Sequence, residues 1–232
     1  MLSSLKRRVK RSLMSPTARA VQDERLTMCG ATKLLRLERT AKAALRRGIA
    51  GEVAEFGMAL GGSGIILARI ARAGGREFHG FDVFGMIPPP TSDKDDEKSK
   101  ARYEEIAAGR SAGIGGDTYY GYVEDLRSKV AAAFARHGLP VGEGVQLHEG
   151  LFEHTVPRDL PPRLCLAHID CDWYDPTRHC LAALADRLSP GSAIVMDDYH
   201  NYGGSRTATD EFLAVRRDFS MEDGENVVLR KA

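Results

Sequence analysis

The sequence predicts an α/β fold, a mostly parallel sheet with helices on both faces, and three observations carry that prediction. Short apolar strand candidates alternate with helical segments along most of the chain, the pattern of parallel strands joined by crossover helices. A glycine-rich stretch, Gly57–Gly64, joins the first strand candidate to a helix. Four strand candidates end in acidic residues, and in open α/β sheets ligands bind beyond the carboxyl ends of the strands.

The elements follow in order. Residues 1–50 read as a basic, helical N-terminal extension and residues 51–232 as the main domain. In the extension, 15–47 has helical character, with Leu34, Leu35, Leu37 and Leu45 among many arginines and lysines, and Gly48 and Gly51 stop it. Glu52–Phe56 is a strand, Ile65–Ala73 a helix, and Glu77–Val83 a second strand ending in acid. Residues 86–117 are rich in Pro, Gly, Ser and charge, with one short helix expected around Ala101–Ala108. A stretch of that length is expected to be a lid over a substrate. Tyr120–His137 is a helix, followed by strands at Val145–His148 and Arg163–Ile169. Asp175-Pro176 has the form of an N-cap and first helical position, opening a helix whose apolar face carries Leu181, Leu184 and Leu188. Ser192–Met196 is a buried-type strand, Ser205–Arg217 a helix, and Val227–Leu229 a final strand.

Composition bounds the function. The chain has 232 residues, 43% hydrophobic and 28% charged, which suits one globular domain. Lys and Arg total 33 against 32 Asp and Glu, so nucleic acid, which demands a basic excess, is not the expected partner. No apolar run approaches the ~20 residues of a membrane helix. The basic cluster Lys6, Arg7, Arg8, Lys10 and Arg11 lacks a following apolar segment and reads as a solvated arm rather than a secretory signal. Cys29, Cys165, Cys171 and Cys180 form no CxxC pair and no zinc spacing, and read as reduced thiols of a cytoplasmic protein.

Two motifs carry chemistry. In Glu55-Phe56-Gly57-Met58-Ala59-Leu60-Gly61-Gly62-Ser63-Gly64 the glycines let the backbone pass close to a ligand. The spacing is not G-x-G-x-x-G, so a nucleoside fits better than a pyrophosphate, and Asp82 at the next strand end is placed to accept hydrogen bonds from ribose hydroxyls. A tight packing turn is the bland reading of the same residues. The second motif is Asp170-Cys171-Asp172-Trp173-Tyr174 with Asp197-Asp198-Tyr199, each after an apolar strand. Four carboxylates at adjacent strand ends repel one another, and a hard divalent ion such as Mg²⁺ with oxygen ligands resolves the repulsion. Helix capping or pairing with arginine is the alternative for Asp197 and Asp198. His200 follows the acidic pair and is expected to face the same crevice as an auxiliary base or substrate contact; His168 reads as a core or supporting residue.

At AEFGMALGGSG, FDVFG, HEGLFEHTVP, HIDCDWYDPTRHCLAAL, RLSPGSAIVMDDYH and GSRTATDEF the chain resembles the macrocin and mycinamicin O-methyltransferase family, from about Glu52 to Phe212. The resemblance implies a Rossmann-like class I methyltransferase fold, with a seven-stranded sheet whose last strand is antiparallel. It implies S-adenosylmethionine held by the turn (Glu55, Gly57, Gly61, Ser63), by Asp82 and by Asp170. It places Mg²⁺ on Asp170, Asp197 and Asp198, with Asp172 as general base. The expected activity is O-methylation of a hydroxyl on a small molecule, a sugar of a natural product or a diol. Two other functions fit parts of the pattern. Asp170-x-Asp172 also suits a metal-dependent glycosyltransferase, which leaves Asp197-Asp198 unexplained, and a nucleoside-binding protein without catalysis would need no metal. The helical N-terminal region is also suited to packing against a second copy of the chain.

Overall fold

The computed structural model describes residues 9–232; Lys6, Arg7 and Arg8 of the basic arm lie outside them. Seven strands form one sheet: β1 (Glu52–Phe56), β2 (Phe78–Asp82), β3 (Val145–Glu149), β4 (Leu164–Ile169), β5 (Leu188–Met196), β6 (Phe219–Glu222) and β7 (Val227–Lys231). Their order is β3-β2-β1-β4-β5-β7-β6. Strands β1 to β5 pair in parallel, and β7 runs antiparallel to both neighbours. The sheet grows one way from β1 through β2 and the other way through β4, so the crevice opens beyond the ends of β1 and β4. Every residue of β4 is buried, as a strand covered on both faces must be.

The helices are α1 (Pro16–Asp23), α2 (Ala31–Arg46), α3 (Gly62–Ala73), α4 (Glu97–Ala107), α5 (Leu126–Arg136), α6 (Phe152–Asp159), α7 (Tyr174–Leu184) and α8 (Gly203–Val215). One apolar core joins α1, α2, α3 and α5 to one face of the sheet, through Val21, Leu34, Ile66 and Phe134. A second joins α6, α7 and α8 to the other face, through Val156, Leu181 and Phe212. The N-terminal helices therefore share the main core. None of the described helices is long and apolar enough to cross a membrane.

Several boundaries differ from expectation for local reasons. The N-terminal helix is two helices, because Arg25 takes a left-handed conformation with φ 58° and the chain runs extended to Gly30, the N-cap of α2. The segment expected to be helical from Tyr120 starts as a short 3-10 turn, and α5 begins only after Asp125, whose carboxylate accepts from the Ser128 amide. Helix α6, eight residues long with Pro157 in its last turn, and the four-residue strand β6 are too short to stand out in the sequence. Strand β5 starts before Pro190-Gly191, its pairing with β4 shifting register at that point. Helix α7 begins at Tyr174 with no cap from its own sequence, so Asp175 lies inside its first turn. The 86–117 segment expected to be a lid is largely structured, with α4 longer than foreseen and a 3-10 turn at Ile114–Gly116.

At the sheet edge, His79 on β2 and His148 on β3 stack with planes 3° apart, their nearest nitrogens separated by 3.1 Å. Burial pushes both imidazoles below their usual value; Glu77, Glu52 and Asp159 oppose the shift, while His79 and Arg158 add to it for His148. Both rings thus bind protons less readily in the folded chain than in the unfolded one, so their contribution to stability falls on acidification from about pH 6.5. We expect His148→Gln to lose less thermal stability than the unsubstituted chain between pH 7 and about pH 5. Parallel melting curves at each pH check this, and identical slopes would refute it.

Candidate active site

The strand ends β1, β2, β4 and β5 enclose a cavity of about 520 Å³, within the range of small-molecule sites. Its first wall is the β1–α3 turn. Gly57 has φ 87°, and a Cβ there would stand 1.9 Å from the carbonyl oxygen of Asp170, so only glycine fits. Gly61 has φ 84° and opens α3 without a side-chain cap. Ser63, in the first turn of α3, lines the cavity, as do Gly57, Met58 and Ala59. Gly61 lies behind that surface, backed by Val130 and Phe134.

Asp82 lines the same wall and secures it. One carboxylate oxygen accepts from the amides of Met58 (2.6 Å) and Ala59 (3.1 Å), and the other from Phe84 (2.7 Å). Burial pushes its carboxyl up, and the three amides pull against that shift. Ala59 and Phe84, on either side of this carboxylate, both take left-handed backbone, a strain of about 1–3 kcal/mol each that the amide bonds hold in place. Glu55 is not on the cavity surface. It is fully buried; one oxygen lies 2.8 Å from His168 Nδ1, and the other occupies the space that a Cβ on Gly64 would need.

The floor holds the four aspartates. Asp170, Asp172 and Asp198 bring carboxylate oxygens within 4.8 Å of one another, and Cys29, Asp170 and Asp197 form a second group on the same criterion. Burial, with repulsion from Asp197 and Asp198, drives the Asp170 carboxyl well above its ordinary value; burial and Asp198 do the same to Asp172. Asp172 takes the left-handed conformation with φ 59°, which turns its side chain toward this group. Asp198 is 4% exposed; Asn201 Nδ2 donates to one oxygen at 3.1 Å, and the other has no partner among the described residues.

Asp197 has a different environment. Lys33 Nζ lies 2.6 Å from Oδ2 and 2.9 Å from the main-chain oxygen. The Cys29 thiol donates to Oδ1 at 3.7 Å, and His168 Nε2 lies 3.8 Å from the same atom. Burial alone would raise this carboxyl, but His168 and Lys33 outweigh it and hold it below its ordinary value. His168 is buried too; Asp197 and Glu55 overcome the desolvation and lift it to about 9. A chain Lys33–Asp197–His168–Glu55 thus runs beneath the floor. Lys33 and Cys29 escaped the sequence reading, because one lysine in an amphipathic basic helix carries no distinguishing mark.

His200 does not face the crevice. Its side chain is 41% exposed and its Nε2 lies 2.9 Å from Asp223. The turn in which the Asn201 and Tyr202 amides bond back to the Asp198 carbonyl swings it outward and brings Asn201 and Tyr202 to the cavity instead. Segment 86–117 adds Ile87, Pro88, Lys98 and Arg102 to the cavity lining, beside Trp173. Trp173 donates its indole N–H to the Pro88 carbonyl at 2.9 Å.

The family model for macrocin O-methyltransferase (TylF) matches residues 10–231. The chain belongs to this family. A tetracenomycin-C glycoside 4'-O-methyltransferase from Streptomyces olivaceus is 30% identical over 176 residues, 75% of this chain and 62% of its own length. The chain thus spans less than two thirds of that relative. Mycinamicin III 3''-O-methyltransferase from Micromonospora griseorubida is 29% identical over 209 residues, 82% of this chain and 75% of the relative. Among solved structures, the O-methyltransferase NovP shares the fold with a TM-score of 0.74 and 22% identity, over 89% of this chain and 82% of its own. The family match covers the N-terminal helices as well as the sheet, consistent with their shared core.

Proposed function

We propose that this TylF-family chain transfers a methyl group from S-adenosylmethionine to a sugar hydroxyl of a natural product, assisted by a divalent ion. The observation that carries the reading is the convergence of Asp170, Asp172 and Asp198 on the floor of a cavity whose adjoining wall is the glycine-rich turn. The turn suits a nucleoside: its backbone is bare at Gly57, and Asp82 and Ser63 present polar atoms beside it. S-adenosylmethionine, when bound, supplies a methyl carbon already activated by its sulfonium. Both family relatives are O-methyltransferases by name, one of a rhamnosyl tetracenomycin and the other of mycinamicin III. Trp173, Tyr119 and Tyr202 line the cavity, and flat aromatic faces suit the C–H surface of a sugar ring.

The carboxylates fit a hard cation. The second oxygen of Asp198 is buried without a protein donor, and oxygen donors are the ones Mg²⁺ prefers. Asp170 and Asp198 would hold the ion, with Asp197 available only in competition with Lys33. An ion held by these residues would supply positive charge that favours loss of the proton from an acceptor hydroxyl. Asp172 accepts the proton as the acceptor oxygen bonds to the methyl carbon and the sulfur departs with its electron pair as the thioether. The lid residues Pro88 and Arg102, with Trp173, cover that point and exclude water.

The test is titration with S-adenosylhomocysteine, with UDP-sugars in parallel, followed by transfer of labelled methyl to a panel of deoxysugar glycosides with and without Mg²⁺. We expect the homocysteine compound alone to bind. Asp172→Asn is expected to lower kcat by about 10²–10⁴-fold and to leave that affinity in place. Binding of a UDP-sugar instead would move the Asp170-x-Asp172 motif to a glycosyltransferase site, and unchanged turnover in Asp172→Asn would remove it as base.

A further inference from the structure

We propose that Lys33 is a built-in cation of the catalytic floor, which positions Asp197 and competes with the divalent ion for it. The inference rests on the metal-assisted reading above. Lys33 comes from the first turn of α2, which precedes every strand in the chain, and reaches the end of β5. Its ammonium bridges the side-chain oxygen and the main-chain oxygen of Asp197, at 2.6 and 2.9 Å. The pair is largely removed from water, with side-chain exposures of 14% and 7%, and Lys33 lines the cavity.

Stability does not explain such a contact. A buried ion pair adds little over a well-packed apolar pair, since desolvating both charges offsets their attraction. The charge has a clearer consequence for the floor. Asp170, Asp172, Asp197 and Asp198 together carry four negative charges when ionised, and Lys33 cancels one of them at contact distance. The buried, unpartnered oxygen of Asp198 shows where the cluster still lacks a cation, whereas both oxygens of Asp197 already have partners in Lys33, Cys29 and His168. A divalent ion settling among these carboxylates feels the ammonium as a repulsive neighbour, and any bond it makes to Asp197 is made against Lys33. The N-terminal helix thereby sets how tightly the site holds its metal.

The test measures Mn²⁺ affinity of the full chain by electron paramagnetic resonance, with S-adenosylhomocysteine affinity as the control for an intact fold. Lys33→Met is expected to bind Mn²⁺ about tenfold more tightly or better, because one opposing charge is gone. Mn²⁺ should also raise its melting temperature more than that of the unsubstituted chain, while Lys33→Arg stays near the unsubstituted affinity. The double variant Lys33→Met/Asp197→Leu, which replaces the pair by apolar groups, is expected to lose the added affinity. Equal or weaker Mn²⁺ binding in Lys33→Met overturns the inference, as does a double variant that stays tight. Absence of Mn²⁺ binding in every form overturns the metal reading itself along with it.

Discussion

Gly57→Ala is expected to abolish S-adenosylhomocysteine binding and to cost about 3 kcal/mol or more of stability. The added methyl would stand 1.9 Å from the Asp170 carbonyl oxygen and 2.9 Å from its carbonyl carbon. Both are backbone atoms of the neighbouring strand end, and they cannot swing aside as a flexible side chain can. The φ of 87° adds a left-handed penalty that alanine does not avoid. Relief requires β1 and β4 to part at their carboxyl ends. There the Asp170 amide donates to the Phe56 carbonyl, so the displacement carries the floor carboxylate with it. Calorimetric titration and thermal melting check the two halves of this expectation. A variant that binds the homocysteine compound normally would show that the turn does not carry the nucleoside.

The strand–helix alternation and the strand-end acids were legible because their signals are local. An apolar run of five or six residues that ends in acid marks both a buried strand and its exit, whatever surrounds it. The same locality explains the failures. Tyr174 at the start of α7 is capped by the carboxylate of Asp95, a residue of the lid, and no pattern around Asp175-Pro176 reveals a cap supplied from so far away. His200 was placed in the crevice because it follows Asp198, but a tight turn back to the Asp198 carbonyl reverses the direction of its side chain. Glu55 sits at the motif position expected to meet the cofactor, yet the turn folds over it and gives it to His168. Lys33 and Asp197 are separated by most of the chain, and only the packing of α2 beside β5 brings them together.

Segment 86–117, the expected lid, is tied down at Gly203 and Gly204, and Gly204→Ala is expected to lower the specificity constant for the acceptor by about 100-fold while leaving S-adenosylhomocysteine affinity nearly intact. Two adjacent lid carboxylates plug into two helix N-termini. Asp95 accepts from the Tyr174 amide at the start of α7, and Asp96 accepts from the Gly203 amide at the start of α8, where the helix dipole favours negative charge. Asp96 also caps α4 through Ser99, so one side chain ties the lid helix to the body. A Cβ on Gly204 would meet Asp95 Oδ1 at 2.0 Å and the Tyr174 amide nitrogen at 2.8 Å. The methyl and the carboxylate cannot share that space, and the carboxylate is the part that can leave. Its departure strands the Tyr174 amide and lifts Pro88, Lys98 and Arg102 away from the acceptor, where a displacement of about 1 Å is enough for the expected loss. Limited proteolysis should then cut the lid faster than in the unsubstituted chain. The double variant Asp95→Ala/Gly204→Ala separates this from general damage: with the clashing oxygen gone, its loss of stability should be smaller than the sum of the two single losses. Strict additivity would mean that the glycine serves α8 alone and that the lid is held by other contacts.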